Sequence, residues 1–292
     1  MPQAAAAPCP TALPGRPCTI RGKATERVTM RLRLTGGRVT ARQLPVLAEV
    51  AERFGRGEVH LTTRQSVEIP GVAPDAVDAA RALLATAGLQ TGSCGPYVRT
   101  VVACPAPECK SGVIGAQTLA ERLTAHAERY GKLPHKFKIA VTGCPNSCAK
   151  PLENDFGVMG IVAKQFHADR CNGCGNCVEA CKEPGVLKLG DGDTLEYQAA
   201  GCVGCGACVA ACPVEAWEGL GPRFVLFAGG KMGRHPRFAL RLPAVADSPD
   251  AVLAVLDRAV AWYSCHASGR ERFGDTIRRV GEPAFLAAVQ PA

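Results

Sequence analysis

Two runs of cysteine constrain this chain more than any other feature. Cys171, Cys174, Cys177 and Cys181 follow the spacing C-x2-C-x2-C-x3-C, and Cys202, Cys205, Cys208 and Cys212 repeat it, with Pro213 directly after. Thiols this close cannot brace a fold by bonding across distance, but they are well placed to wrap a cluster of iron and sulfide. In such runs three cysteines meet three irons of one cubane and the fourth reaches over to its neighbour. One [4Fe-4S] cluster is therefore expected on Cys171, Cys174, Cys177 and Cys212, and a second on Cys202, Cys205, Cys208 and Cys181. A pair of zinc sites is the plainer reading of thiolates in fours. Against it, Gly173, Gly175, Gly204 and Gly206 leave the backbone free to donate N–H groups to cluster sulfurs. The first run departs from the second in that Lys182 and Glu183 separate Cys181 from Pro184.

The 16 cysteines among 292 residues include a further set, Cys104 and Cys109 in CPAPECKSG with Cys144 and Cys148 in TGCPNSC. Together they offer thiolates on two separate turns. Cys9, Cys18, Cys94 and Cys265 are left over as bystanders, and Cys94 is expected to be a buried thiol. Clusters built on free thiolates need a reducing compartment, which points to the cytoplasm.

A net charge of +8 suits an anionic ligand or an acidic partner. Aromatic residues make up only 5% of the chain and none interleaves with a basic run, so nucleic-acid recognition by stacking has little support. No stretch reaches the roughly 20 apolar residues a membrane helix needs. The Ala- and Pro-rich start lacks the charge and apolar core of a secretory signal, and residues 1–26 are expected to form a disordered tail.

From Val28 to Leu34, VTMRLRL alternates, placing Met30, Leu32 and Leu34 on one face and Arg31 and Arg33 on the other. A helix capped by Thr40 is expected to run to Phe54 and stop at Gly55. A strand pair over 59–69 and a helix from Pro74 to Gly88 would complete a small α+β unit of ferredoxin-like type at 27–90. A second α/β unit is expected at 91–165 and 215–292. It would hold a helix near 117–130, the strands KFKIAV, FGVMGIV and 223–228, and helices at 249–266 and 269–279. The Cys- and Gly-rich segment 166–214 interrupts it as an inserted two-cluster module. Lys136 and Lys138 share one face of KFKIAV, as Arg31 and Arg33 share one face of theirs, because strand side chains alternate. For any one of these cations a solvated polar face is the ordinary reading, but paired cations near cysteine turns suggest an anion pocket. The glycine-rich GGKMGRHP turn at Gly229, Gly230 and Gly233 is weak evidence for a nucleotide site; close packing against a cofactor is the preferred reading.

At this point the chain resembles the sirohaem-containing sulfite and nitrite reductases, specifically anaerobic or dissimilatory sulfite reductase subunits with an inserted two-cluster ferredoxin domain. The Cys104, Cys109, Cys144 and Cys148 set is similar to that family's catalytic cluster. HLTTRQSVEIPGV at 60–72 is similar to its sirohaem-binding strand, MRLRLTGG at 30–37 to its substrate-arginine strand, and HKFK at 135–138 to its paired-lysine strand. GPYVRT at 95–100 and FAGGKMGRHP also fit. The resemblance implies a third [4Fe-4S] cluster and a sirohaem, with Cys148 bridging the two. It places Thr62, Thr63, Arg64 and Gln65 at the haem, Arg64 on its carboxylates, and Arg31, Arg99, Lys136 and Lys138 around the substrate. The chain departs from the family in its C-x4-C first pair, where five intervening residues are usual, and in carrying one copy of a structural half that long sulfite reductases carry twice. The implied activity is six-electron reduction of sulfite to sulfide, with nitrite reduction to ammonia as the alternative. A non-catalytic iron-sulfur electron carrier is the rival of a different class. An electron-donor protein or sister subunits, in a homo- or hetero-oligomer, would be the partners.

Overall fold

The computed structural model describes residues 19–21, 26–92 and 94–290. Alternation in the first arginine-bearing segment produces what it should. β1 (Thr19–Arg21) and β2 (Val28–Arg33) pair antiparallel, and β2 buries Met30 and Leu32 completely while Arg31 and Arg33 stay half exposed. α1 (Leu44–Phe54) follows, then β3 (His60–Leu61), β4 (Val67–Val72), α2 (Val77–Thr86) and β5 (Gln90–Thr91). The sheet order is β1-β2-β4-β3, with β5 also on β2. Both helices cover one face, and Val50, Ala80 and Leu84 meet Met30, Leu32 and Ile69 in its core.

Two expectations change here. β1 lies inside the segment expected to be a tail, because its backbone extends the sheet edge at Met30; the other residues of that segment before Glu26 lie outside the described ones. Thr40 does not cap α1: its N–H donates to the Gln43 side chain at 3.0 Å and the helix begins at Leu44. Pro45 explains the later start, since a proline without an N–H is tolerated only in a first turn. The expected strand pair over 59–69 is present as β3 and β4, joined by a turn in which Thr62 Oγ1 accepts from the backbone N–H groups of Arg64 and Ser66.

The second unit is built on β6 (Val102–Ala103), α3 (Ala116–Ala127), β7 (Ile139–Thr142) and β8 (Phe156–Phe166). An excursion carries α4 (Asn176–Ala180), the hairpin β9 (Leu187–Leu189) and β10 (Leu195–Tyr197), and α5 (Ala207–Ala211). The chain returns as β11 (Trp217–Ala228) and β12 (Leu240–Ala246), then α6 (Pro249–His266), α7 (Phe273–Val280) and α8 (Glu282–Val289). The sheet order is β12-β11-β8-β7-β6, parallel from β6 to β8 and antiparallel beyond. Phe137, Phe156, Tyr263, Phe273 and Phe285 are fully buried between sheet and helices. Ser248 caps α6, accepting from Ala251 N at 3.2 Å, and Pro249 starts it.

β12 and α8 were not expected from the sequence. β12 is an edge strand containing Pro243, a residue that edges alone accommodate easily. α7 starts later than expected, at Phe273, while Lys136 and Phe137 precede the β7 ladder and Phe137 makes only an isolated bridge to Val98.

Candidate functional site: a cation cluster and three cysteine sets

Lys136 and Lys138 flank the buried Phe137 just before β7 and so point the same way. Arg31 on β2, Arg64 on the β3–β4 turn and Arg99 join them in one field of mutual repulsion. Burial and these neighbours lower the Lys138 ammonium to about 8 and the Arg64 guanidinium to about 10. Lys136 and Arg99 are lowered for the same reason, desolvation first. The two arginines of β2 part company. Arg31 stays in the field while held by Glu68, at 2.8 Å from Nε and 2.5 Å from Nη2. Arg33 turns to Glu128 at 2.6 Å.

Arg64 ties the two units together. Its Nη1 donates to Asn154 Oδ1 at 2.9 Å, and its Nη2 donates to the carbonyls of Thr100 at 2.8 Å and Ile139 at 3.2 Å. Gln65, in the left-handed region at φ 53°, does the same: its amide donates to Ala103 O and accepts from Ala103 N, both at 2.8 Å. Thr62 shapes the turn and Thr63 is exposed.

Two charged residues at this site carried no signal in the sequence. Asp155 is fully buried, and both its oxygens accept from Arg272 Nη2, at 2.9 and 2.8 Å, while Oδ2 also accepts from Lys138 N at 2.9 Å. Asp155 is the carboxylate around which Arg64, Lys136, Lys138 and Arg272 gather. Positive charge exceeds negative here, and the buried Nε atoms of Arg64 and Arg272 have no hydrogen-bond partner. Such a site accepts an anionic group, which is the fit a carboxylate-bearing tetrapyrrole requires.

The Cys104 set sits where the parallel strands end. β6 and β7 run side by side, so Cys104 and Cys144, just beyond their C-terminal ends, come together outside the carboxyl edge of the sheet. Gly143 N donates to Cys104 Sγ at 3.0 Å. Burial pushes the Cys144 thiol up, and Cys104, Cys148 and Cys109 add to the effect, so the four sulfurs are neighbours. Ser147 and Lys150 hold left-handed conformations at φ 59° and 52° within this turn, a strain that surrounding structure must impose.

In the excursion, Gly175 and Gly206 precede α4 and α5 at φ 76° and 79°, so each cysteine loop turns directly into a short helix. Cys171, Cys174, Cys177 and Cys212 line one recess with Trp217, Phe166 and Leu189. The buried Trp217 Nε1 bears on the Cys177 thiol and is a donor for the sulfurs of this recess. Among the described residues no three His, Cys, Asp or Glu side chains gather tightly enough for one metal ion. Cys202, Cys205 and Cys208 are mutual neighbours, with the Cys208 thiol pushed up to about 11 by burial. Cys181 packs into the same small core.

One expectation is corrected at this site. Cys94 is half-buried and disulfide-bonded, so it is neither a free buried thiol nor a spare ligand. Gly229 and Gly230 are close-packed within the protein: a Cβ on Gly230 would meet Leu152 O at 2.2 Å, and one on Gly229 would meet Ile277 Cδ1 at 3.1 Å and Gly274 Cα at 3.2 Å. His60 and His235 are exposed, and His135 Nδ1 accepts from Lys136 N at 2.7 Å. No helix among the described residues is long and apolar enough to cross a membrane.

Comparison with known proteins gives the family of the chain. Residues 20–87 match the nitrite/sulfite reductase ferredoxin-like half domain, and residues 94–292 match the nitrite and sulphite reductase 4Fe-4S domain. The chain is 33% identical over 258 residues to the coenzyme F420-dependent sulfite reductase of Methanocaldococcus jannaschii, covering 87% of this chain and 41% of that protein. It is 34% identical over 198 residues to a subunit of the anaerobic sulfite reductase of Salmonella typhimurium, covering 62% of this chain and 57% of that protein. It thus spans about two-fifths to three-fifths of the length of these relatives. Its fold is similar to that of dissimilatory sulfite reductase I, with a TM-score of 0.73 at 20% identity, over 91% of this chain and 70% of that one. With both of the family's domains matched in order along one chain, this protein belongs to the nitrite and sulfite reductase family.

Proposed function

We propose that this chain reduces sulfite to sulfide by six electrons, using a sirohaem fed by three [4Fe-4S] clusters. The carrying observation is that Arg99, Lys136 and Lys138 are desolvated together and feel the charge of Arg31 or of one another, so that three segments of the chain meet in one positive field, while β7 alone separates Lys138 from the Cys144 turn. When bound, the sirohaem supplies an iron to coordinate the substrate and receive electrons, and Cys148 is the thiolate that would link it to the cluster of Cys104, Cys109 and Cys144. The four cations offset the oxyanion's charge in a site where water is partly excluded, which strengthens each interaction. Lys136 and Lys138 hold protons where oxygen leaves as water, and the lowered Lys138 releases its proton readily near neutral pH. Arg64 and Gln65 fix the half-domain against β6 and β7, which holds Arg31 in register with the lysines. The segment between β8 and β11 is read as the inserted two-cluster ferredoxin module, receiving electrons in a reducing compartment from a donor protein or sister subunit.

The test is anaerobic purification, an acid-acetone extract and an iron count, followed by rates. Sirohaem with about twelve cluster irons, at four per cubane, and preference for sulfite support the proposal. A higher kcat/KM for nitrite reassigns the substrate, and iron without tetrapyrrole leaves an electron-transfer subunit. Lys136→Ala should lose turnover while keeping full haem and iron; unchanged kinetics would remove Lys136 from the pocket.

A further inference from the structure

The three cysteine sets are arrayed along one strand. At Gly160, β8 backs onto the Cys144 turn: a Cβ there would meet Gly143 O at 2.7 Å. Next, Ile161 and Val162 carry the Cys202 loop, with Val162 N donating to Gly204 O at 2.8 Å and a Cβ on Gly206 meeting Val162 Cγ2 at 2.7 Å. Phe166, roughly 20 Å from Gly160 at the usual rise of a strand, lines the recess of Cys171, Cys174, Cys177 and Cys212. Its ring rests against Trp217, centroids 4.9 Å apart. The Cys202 loop is thus the inner one and the Cys171 loop the outer one.

Lys164 stands between them. Its Nζ donates to Cys202 Sγ at 2.9 Å and lies over the rings of Tyr197 and Trp217, at 5.6 and 5.8 Å from their centroids. Gly204 N also donates to Cys202 Sγ, at 3.4 Å. Two aromatic faces and a thiol therefore hold one half-buried ammonium against a single cysteine. The outer recess is lined by no lysine or arginine; its donors are the neutral Trp217 Nε1 and backbone N–H groups such as Ala216 N on Cys212 Sγ at 3.2 Å.

We propose that Lys164 raises the reduction potential of the cluster held by Cys202, Cys205, Cys208 and Cys181 above that of its outer neighbour, so that electrons move inward along β8. This rests on the three-cluster reading above. Reduction adds one electron to a cluster already dianionic with its thiolates, with no bond broken and no proton taken up, and a low-potential one-electron carrier protein supplies it. A fixed cation stabilises the trianionic product more than the dianionic reactant, and charge and hydrogen bonds at the sulfurs are recognised levers on cluster potential.

The experiment is a potentiometric titration of the anaerobically reconstituted full chain, followed by electron paramagnetic resonance, for wild type, Lys164→Met and Lys164→Arg. The expected result is that one midpoint becomes more negative in Lys164→Met, stays near wild type in Lys164→Arg, and no other cluster moves, at constant iron content. Unshifted midpoints at full iron overturn the proposal. Iron loss in Lys164→Met also overturns it, assigning Lys164 a purely structural part. A wild-type chain whose iron falls short of three cubanes, about twelve irons, fails the three-cluster reading itself, and the count tells that failure from the others.

Discussion

Asp155 and Arg272 lie 117 residues apart, yet Arg272 Nη2 donates to both oxygens of the Asp155 carboxylate, which is wholly buried. Removing one partner of such a pair leaves the other uncompensated. Asp155→Ala should therefore destabilise the cofactor-free chain by about 3–5 kcal/mol, read as a fall in the urea midpoint. A change near zero would show that water or a rearranged side chain compensates Arg272.

Lys138 gives a pH dependence whose sign can be worked out. Its ammonium titrates at about 8 in the folded chain against an ordinary 10.5, so between those values the unfolded state binds more protons. Stability contributed by this group rises with pH across that window, and below it the buried charge is a net cost. Lys138→Met should raise the unfolding midpoint at pH 7 and lose that advantage as pH approaches 10.5. Selective labelling of lysine side chains for NMR checks the cause directly, by a resonance titrating near 8 that the variant lacks.

On the proposed three-cluster reading, the Cys104 set and the two ferredoxin-type loops pack against different stretches of β8 and should load independently. Cys104→Ser should remove about four irons, one cubane, and leave the magnetic signals of the other clusters intact. A parallel loss of all three would show that the sets fold as one unit.

Gly274 faces Gly229, and a Cβ there would stand 1.9 Å from Gly229 O. Gly274→Ala should cost about 1–3 kcal/mol or more, the usual range for overpacking, with a lowered melting temperature as the readout. A neutral substitution would mean that α7 shifts freely against the β11 end.

Much of the site was legible because its rules are local. Cysteine spacing within a loop groups nearby sulfurs, and Cys171, Cys174, Cys177 and Cys212 do line a single recess. Period-two alternation put Arg31 opposite Met30 and Leu32, and Lys136 and Lys138 on either side of Phe137. Alternation could not say that Arg31 would be clasped by Glu68 and Arg33 by Glu128, because those partners come from other segments. Pro243 hid β12, and Pro45 delayed α1, each through a missing N–H rather than through hydropathy.

The amino-acid sequence by itself determined the cysteine sets, the faces of the arginine and lysine strands, and the order of half-domain and cysteine turns. These follow from chemistry repeated over a few residues. Only the tertiary structure decided which distant charges meet: Asp155 with Arg272, Arg64 with Asn154, and Lys164 with Cys202. A buried charge must find a partner wherever the packed elements bring one, and no short-range pattern records where that will be.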